Sequence, residues 1–184
     1  NELLAQRTAD LNVVQQALAE RTQLDRMREE LALASKLQAA NLPKPDAAAS
    51  LRPSVDLCAT MRPAREVGGD FYDFFPLDSD RLVLMVGDAS GKGVAAGMLV
   101  LVVRTLLRAH LLAGMSPSQC LQSCNRLLAQ DNPGGSFTTV FLAVLNIHSG
   151  HMEFSNAGHN PPQLRRASGS LESLEQANGV MLGI

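Results

Sequence analysis

Residues 1–42 carry a narrow apolar stripe. Leu4, Leu11 and Leu18 recur at every seventh position with Val14 between them, and Leu24, Met27, Leu31 and Ala34 continue the stripe after one six-residue step. No Gly or Pro interrupts the stretch, and its Ala, Leu, Gln, Glu and Arg are good helix formers. A stripe this narrow predicts a coiled-coil seam rather than the broader face of a globular helix. A rod of about 40 residues would run roughly 60 Å. Alone it leaves its stripe in water, so a partner helix is expected, most simply a second copy of the chain in a parallel pair. Packing of the stripe on the following domain is the alternative. Pro43 and Pro45 end the helix, because proline blocks its continuation and restricts the residue before it. The organisation expected is a coiled-coil linker helix over residues 1–43 and a domain over 44–184.

Beyond the prolines the period changes. Val55–Met61, Asp70–Leu77, Arg81–Gly87, Phe137–Ile147, Met152–Asn156 and Gln163–Arg166 read as strands, separated by turn clusters such as Asp78-Ser79-Asp80. Gly93–Ala113, dense in Ala, Val and Leu, reads as a helix. Ser116-Pro117 starts another, with Ser at the N-cap and Pro at the first helical position, running to about Gln130. Strands, a helix pair and further hairpins predict an α+β fold with helices outside the sheets.

Composition narrows the function. The net charge of −2 carries no basic excess of the kind a nucleic-acid surface needs, and aromatic residues are 4% with no Trp, so base-stacking platforms are not expected. Apolar residues at 46% suffice for a core. The best membrane-span candidate, Val94–Leu107, is broken by Arg104. No signal peptide is evident, and a chain opening on Asn1 is read as a piece of a longer protein. A cytoplasmic location is expected, with membrane tethering through some other part of that protein left open. Cys58, Cys120 and Cys124 are too few for a disulfide framework. Cys120 and Cys124, four apart on one helix face, read as buried structural thiols rather than a metal pair.

The chemistry concentrates in one hairpin. Centring its turn on Ser79 pairs Asp70 with Asp88 at the open end, with Cβ atoms about 5 Å apart. Phe71, Phe75, Val83 and Met85 line one face and Tyr72, Phe74, Leu82, Leu84 and Val86 the other, so both faces are expected to be buried. Two adjacent carboxylates there repel, and one must bind a proton unless a cation lies between them. Oxygen ligands of this type suit Mg²⁺ or Mn²⁺. Gly68-Gly69, Gly87, Gly91 and Gly93 bracket the pair and permit close backbone approach. Ordinary strand-end turns, with Asp as a turn former, are the alternative. Gly87–Gly93 is not a phosphate-binding P-loop: it has three residues between its first glycines where four are needed, and Gly93 where Ser or Thr is needed.

Five blocks in order extend this reading. They are Gln38 to Pro43; Arg65-Glu66-Val67-Gly68-Gly69-Asp70-Phe71-Tyr72-Asp73; Val86 to Gly93 running on through Ala95-Ala96-Gly97-Met98; Phe137-Thr138-Thr139; and Asn156-Ala157-Gly158-His159-Asn160-Pro161-Pro162. Together they resemble the PPM-type (PP2C-like) serine/threonine phosphatases of the bacterial RsbU/SpoIIE branch, over about residues 36 to 184. The resemblance implies an αββα sandwich, two packed antiparallel sheets flanked by helices, with a site for two Mn²⁺ or Mg²⁺ ions at one edge. It implies Asp70, Asp88 and the Ala89 carbonyl as metal ligands, Asp88 bridging the ions, and in-line attack of a metal-activated water on phosphoserine or phosphothreonine. A phosphorylated STAS-type anti-anti-sigma protein is the substrate it implies, and a sensor or receiver domain the upstream partner. Family members continue with a Thr-Asp-Gly-like strand and a further Asp ligand beyond the point where Gly183-Ile184 stands. The metal site of residues 44–184 is therefore expected to be C-terminally incomplete, and these 184 residues alone poorly active. A catalytically impaired phosphatase-like domain acting as a dimeric scaffold is the competing class.

Other residues are weighed individually. Arg62 and Arg65 are candidates for substrate phosphate, since guanidinium binds phosphate in a bidentate manner, with solvated arginines as the alternative. Glu66 is a candidate outer ligand acting through water. His159 is read as structural in its bend rather than as a catalytic acid, His148 and His151 as solvated, and Asp73, facing away from Asp70, as a structural hydrogen-bond partner. The helix from Gly93 begins close to Asp88, so movement of the rod is expected to reach the metal loop.

Overall fold

The structure is a computed structural model and describes residues 2–44, 47, 55–63, 66–130, 132–175 and 179–184. The first helix, α1 (Glu2–Asn41), is 40 residues long. Over most of its length the apolar stripe is uncovered by the described residues: Leu4, Leu11, Val14, Leu18, Leu24 and Met27 are all exposed, whereas Leu31 and Ala34, nearer the domain, are partly buried. Only the last turns of α1 touch the globular part, where Gln38 is buried.

Four strands, β1 (Asp70–Pro76), β2 (Arg81–Ala89), β3 (Thr138–Asn146) and β4 (Met152–Ala157), form one antiparallel sheet in chain order. The short strands β5 (Gln163–Arg165) and β6 (Leu171–Ser173) make a second, two-stranded antiparallel sheet. β6 is not visible in the sequence pattern, because three residues carry no periodicity. The strand expected at Val55–Met61 is absent: residues 55–63 have no regular structure. Their alternation only lets Val55 and Leu57 cover Phe74 and Leu82 from the side.

Two helices, α2 (Val94–Leu112) and α3 (Pro117–Gln130), pack on the face of the sheet that carries Phe71, Phe75, Val83 and Met85. α2 contributes Val100, Val103, Leu107 and Leu111 to this core, each worth about 1.5–3 kcal/mol on full burial. By length and composition α2 could cross a membrane, so Arg104 is less of a break than the sequence reading held. It is instead the central core helix, and Arg104 and Arg108 are paired with Asp73. Gly114 (φ 86°) ends α2, with Gly114 N–H donating to the Leu111 carbonyl and Met115 N–H to that of His110, a Schellman closure that needs the left-handed residue. α3 opens on the expected N-cap: Gln119 N–H donates to Ser116 Oγ at 3.4 Å and Ser116 N–H to Gln119 Oε1 at 2.9 Å.

Candidate metal centre

β1 and β2 pair in the expected register, with Asp70 directly across from Asp88. Ala89 N–H donates to the Gly69 carbonyl at 2.9 Å. Gly69 and Ala89 are therefore the hydrogen-bonded pair, and Asp70 and Asp88 the neighbouring non-hydrogen-bonded pair, in which side chains approach most closely. β3 extends the row, because Thr139 pairs with Asp88. Asp70, Asp88 and Thr139 line one cleft of about 590 Å³, walled by the Gly68-Gly69 loop and by the turn leading into α2.

The electrostatics match this placement. Partial burial raises the Asp88 pKa, the neighbouring Asp70 charge raises it further, and His159 opposes both. Yet Asp70 and Asp88 are exposed, and at this end of the hairpin Tyr72 and Leu84 are only half-buried and Val86 is 40% exposed. The expectation that both hairpin faces are buried fails here. Among the described residues, Phe74 and Leu82 are the hairpin side chains buried on the second face. Burial therefore does not by itself demand a cation between the two carboxylates, and the case for a cation rests on converging oxygens.

That convergence is visible at Gly69. A Cβ there would lie 2.8 Å from the Ala89 carbonyl oxygen and 3.3 Å from Asp88 Oδ1. Both oxygens thus border a space that only glycine leaves free. The donors are all oxygen, which fits a hard divalent cation that keeps several of its waters. Among the described residues, no third His, Cys, Asp or Glu joins the pair.

The remaining candidates divide. Arg62 is exposed and lines a neighbouring cleft that also contains Asp70. Arg65 lies outside the described residues. Glu66 is exposed and is not part of the lining of the Asp70–Asp88 cleft. Asp73 is structural, as expected: its side chain has no exposure, and Oδ2 accepts from Arg108 Nη1 at 3.1 Å and forms an ion pair with Arg104 Nη2 at 2.9 Å. His148 is exposed, with Nε2 3.4 Å from Asp80 Oδ1. Cys120 and Cys124 are buried free thiols with pKa values pushed up by burial to about 11 and about 12.

Three residues were not singled out for the site in the sequence. Lys92 lines the same cleft as the two aspartates; its signal was a cation among glycines just after a proposed ligand. Thr139 lies beside Asp88, which only the β2–β3 register reveals. Gln38 forms two hydrogen bonds with Gly68: the Gly68 N–H donates to Oε1 at 3.0 Å, and Nε2 donates to the Gly68 carbonyl at 2.7 Å. The end of α1 therefore reaches the loop before Asp70 directly, a shorter path than the expected one through α2.

A sequence model described as Stage II sporulation protein E (SpoIIE) matches residues 78–184. Protein IcfG of Synechocystis is 30% identical over 153 residues, which covers 67% of this chain and 24% of that protein. Phosphoserine phosphatase RsbU of Bacillus subtilis is 29% identical over 132 residues, covering 71% of this chain and 39% of that protein. The chain thus spans well under half the length of these curated relatives. Among solved structures, the RsbU and RsbW domains of a Mycobacterium tuberculosis protein align with a TM-score of 0.59 at 35% identity, over 66% of this chain and 34% of that one. The SiaA-PP2C domain of Pseudomonas aeruginosa aligns with a TM-score of 0.72 over 87% of this chain and 64% of that one; at 20% identity it speaks for the fold alone. The chain belongs to the SpoIIE family, the RsbU/SpoIIE branch of the PPM-type, PP2C-like phosphatases.

Proposed function

We propose that this chain is the output domain of a signalling protein that hydrolyses phosphoserine or phosphothreonine on a regulatory protein with the help of Mn²⁺ or Mg²⁺. The observation that carries the reading is the cross-strand pairing of Asp70 with Asp88 beside a cleft bordered by the Ala89 carbonyl. Those three groups would hold the cation. Bound divalent ions supply a lowered water pKa and offset phosphoryl charge. Net hydrolysis forms a bond from water oxygen to phosphorus and breaks the bond to the serine oxygen, which leaves with a proton. Lys92, exposed at the rim, adds a positive charge for an incoming phosphate dianion, and Arg62 stands close enough to Asp70 to act on the same substrate. A STAS-type phosphoprotein is the proposed substrate, a reading supported by relatives named phosphoserine phosphatases RsbU and RsbP. Pairing of two chains through the α1 stripe, and control by an upstream sensor or receiver domain through α1 and Gln38, complete the proposal.

The test is Mn²⁺-dependent phosphate release from p-nitrophenyl phosphate and from a phosphoserine protein by the full-length protein, beside Asp88→Asn. The expected loss exceeds the roughly 10–100-fold that removal of an outer-shell partner costs. An unchanged rate overturns the reading. The scaffold alternative is favoured by the two-carboxylate cluster having no third acidic or His partner among the described residues. It predicts a wild-type protein that binds the phosphoprotein and never releases phosphate.

A further inference from the structure

The loop after β4 is held in a way its length does not require. Gly158 (φ 71°) turns the chain out of the strand. The buried Asn156 side chain then grips the backbone of His159 from both sides: His159 N–H donates to Oδ1 at 2.8 Å, and Nδ2 donates to the His159 carbonyl at 2.9 Å. Three constraints within four residues aim one ring. That ring places Nδ1 2.9 Å from Thr139 Oγ1. Thr139 in turn stands beside Asp88 in the row across β1, β2 and β3, and its hydroxyl reaches the Asp88 carbonyl at 3.4 Å. A hydroxyl has a single proton. Donated to the Asp88 carbonyl, it leaves only lone pairs for the imidazole, so Nδ1 must carry the ring proton. Burial lowers the His159 pKa despite the nearby Asp88 and Asp70 charges, and a neutral imidazole carries one N–H.

We infer that His159 is a positioning residue: as its Nδ1–H tautomer it holds the Thr139 hydroxyl against the Asp88 backbone carbonyl, and so fixes the strand backbone that carries Asp88 at the carboxylate cleft. The inference rests on the phosphatase reading of that cleft. Thr139 lines the cleft, whereas His159 does not; the histidine therefore acts through the threonine and has no contact of its own with the reacting atoms.

Asparagine places its amide nitrogen where histidine has Nδ1, and glutamine places its own where histidine has Nε2. In the full-length protein with Mn²⁺ and p-nitrophenyl phosphate, His159→Gln is expected to lower kcat about ten-fold with KM little changed, the effect of one lost hydrogen bond. His159→Asn is expected to stay within about three-fold of wild type. In a Thr139→Val background, which itself lowers kcat, His159→Gln should have no further effect, since the two residues form one unit. Additive losses, or equal losses for Asn and Gln, overturn the inference, the latter by making the ring itself the acting group. An independent reading comes from the metal-free protein at pH 7.5. Long-range ¹H–¹⁵N spectra should show His159 protonated on Nδ1, with that preference lost in Thr139→Val; protonation on Nε2 in the wild type overturns the inference even if every variant is active. Thermal melts identify any variant that merely unfolds; Thr139→Ala then replaces Thr139→Val as the hydroxyl-free background, and Thr139→Ser, which keeps the hydroxyl, is a control expected to retain activity. Failure of the phosphatase reading appears separately, as equal rates for wild type and Asp88→Asn while the tautomer result stands.

Discussion

Asp73 lies three residues from Asp70 on the same strand and meets the opposite fate, because alternate strand positions face opposite sides of a sheet. Asp73 points into the α2 layer, where both arginines of an i, i+4 pair hold it and Arg108 also covers the Phe75 ring at 3.9 Å. Removing one partner of a buried ion pair leaves the other charge stranded. Asp73→Ala is expected to cost about 3 kcal/mol or more, read as a lower urea midpoint at unchanged m-value; a shift near zero would mean that Arg104 and Arg108 find water instead. The cysteines make a second contrast. Cys58 is exposed, whereas Cys120 and Cys124 are buried with thiols held protonated far above neutrality. Since the thiolate is the reactive form, a thiol-reading disulfide reagent at pH 8 should count one fast group in the native protein and three after denaturation. Fast reaction of all three in the folded state would refute the buried placement.

Among the elements, α2 and the β1–β2 hairpin do most to position the cleft. The hairpin turn is held by Asp78, which accepts from Asp80 N–H at 3.0 Å, Arg81 N–H at 2.8 Å and Arg81 Nε at 2.6 Å. Those local bonds set the register, and the register sets which residues face each other nine positions to either side of the turn. The far end of the row depends on nothing local. Thr138 N–H and carbonyl exchange 2.9 Å hydrogen bonds with Leu182. Asn125 Oδ1 accepts from Gly183 N–H at 2.6 Å, and Asn132 Nδ2 donates to the Gly183 carbonyl at 2.8 Å. The last described residues are thus sewn to β3 and the end of α3, next to the row that carries Thr139.

For the whole molecule, the unusual feature is a 40-residue helix anchored at one end. Its exposed leucines and valines are uncovered by the described residues, and isolated apolar stripes of heptad spacing are stable in water chiefly when paired. Sedimentation equilibrium should find a dimer that a Leu11→Glu, Leu18→Glu double substitution converts to monomer without lowering the helical content of the domain. A monomeric wild-type chain at micromolar concentration would remove the coiled-coil proposal. The same helix ends in Gln38, bonded to both backbone groups of Gly68 two residues before Asp70, so the rod and the cleft share one mechanical joint.

Local chemistry was enough for much of this. Heptad spacing, the dense apolar run after Gly93, the Ser116-Pro117 start and the Asp78–Asp80 turn are each local, and from them α1, α2, α3 and the Asp70–Asp88 register could all be read. The signature blocks pointed to the family for the same reason, since each is contiguous in the chain. What could not be read was whatever depends on neighbours far apart in sequence. The chain alone did not say that residues 55–63 form no strand, that the carboxylate end of the hairpin is open to water, that Gln38 holds Gly68, or that His159 and Thr139 meet beside Asp88. A side chain's environment is set by what folds back onto it, and only the packed sheet brings residues 20 to 70 positions apart to hydrogen-bond distance.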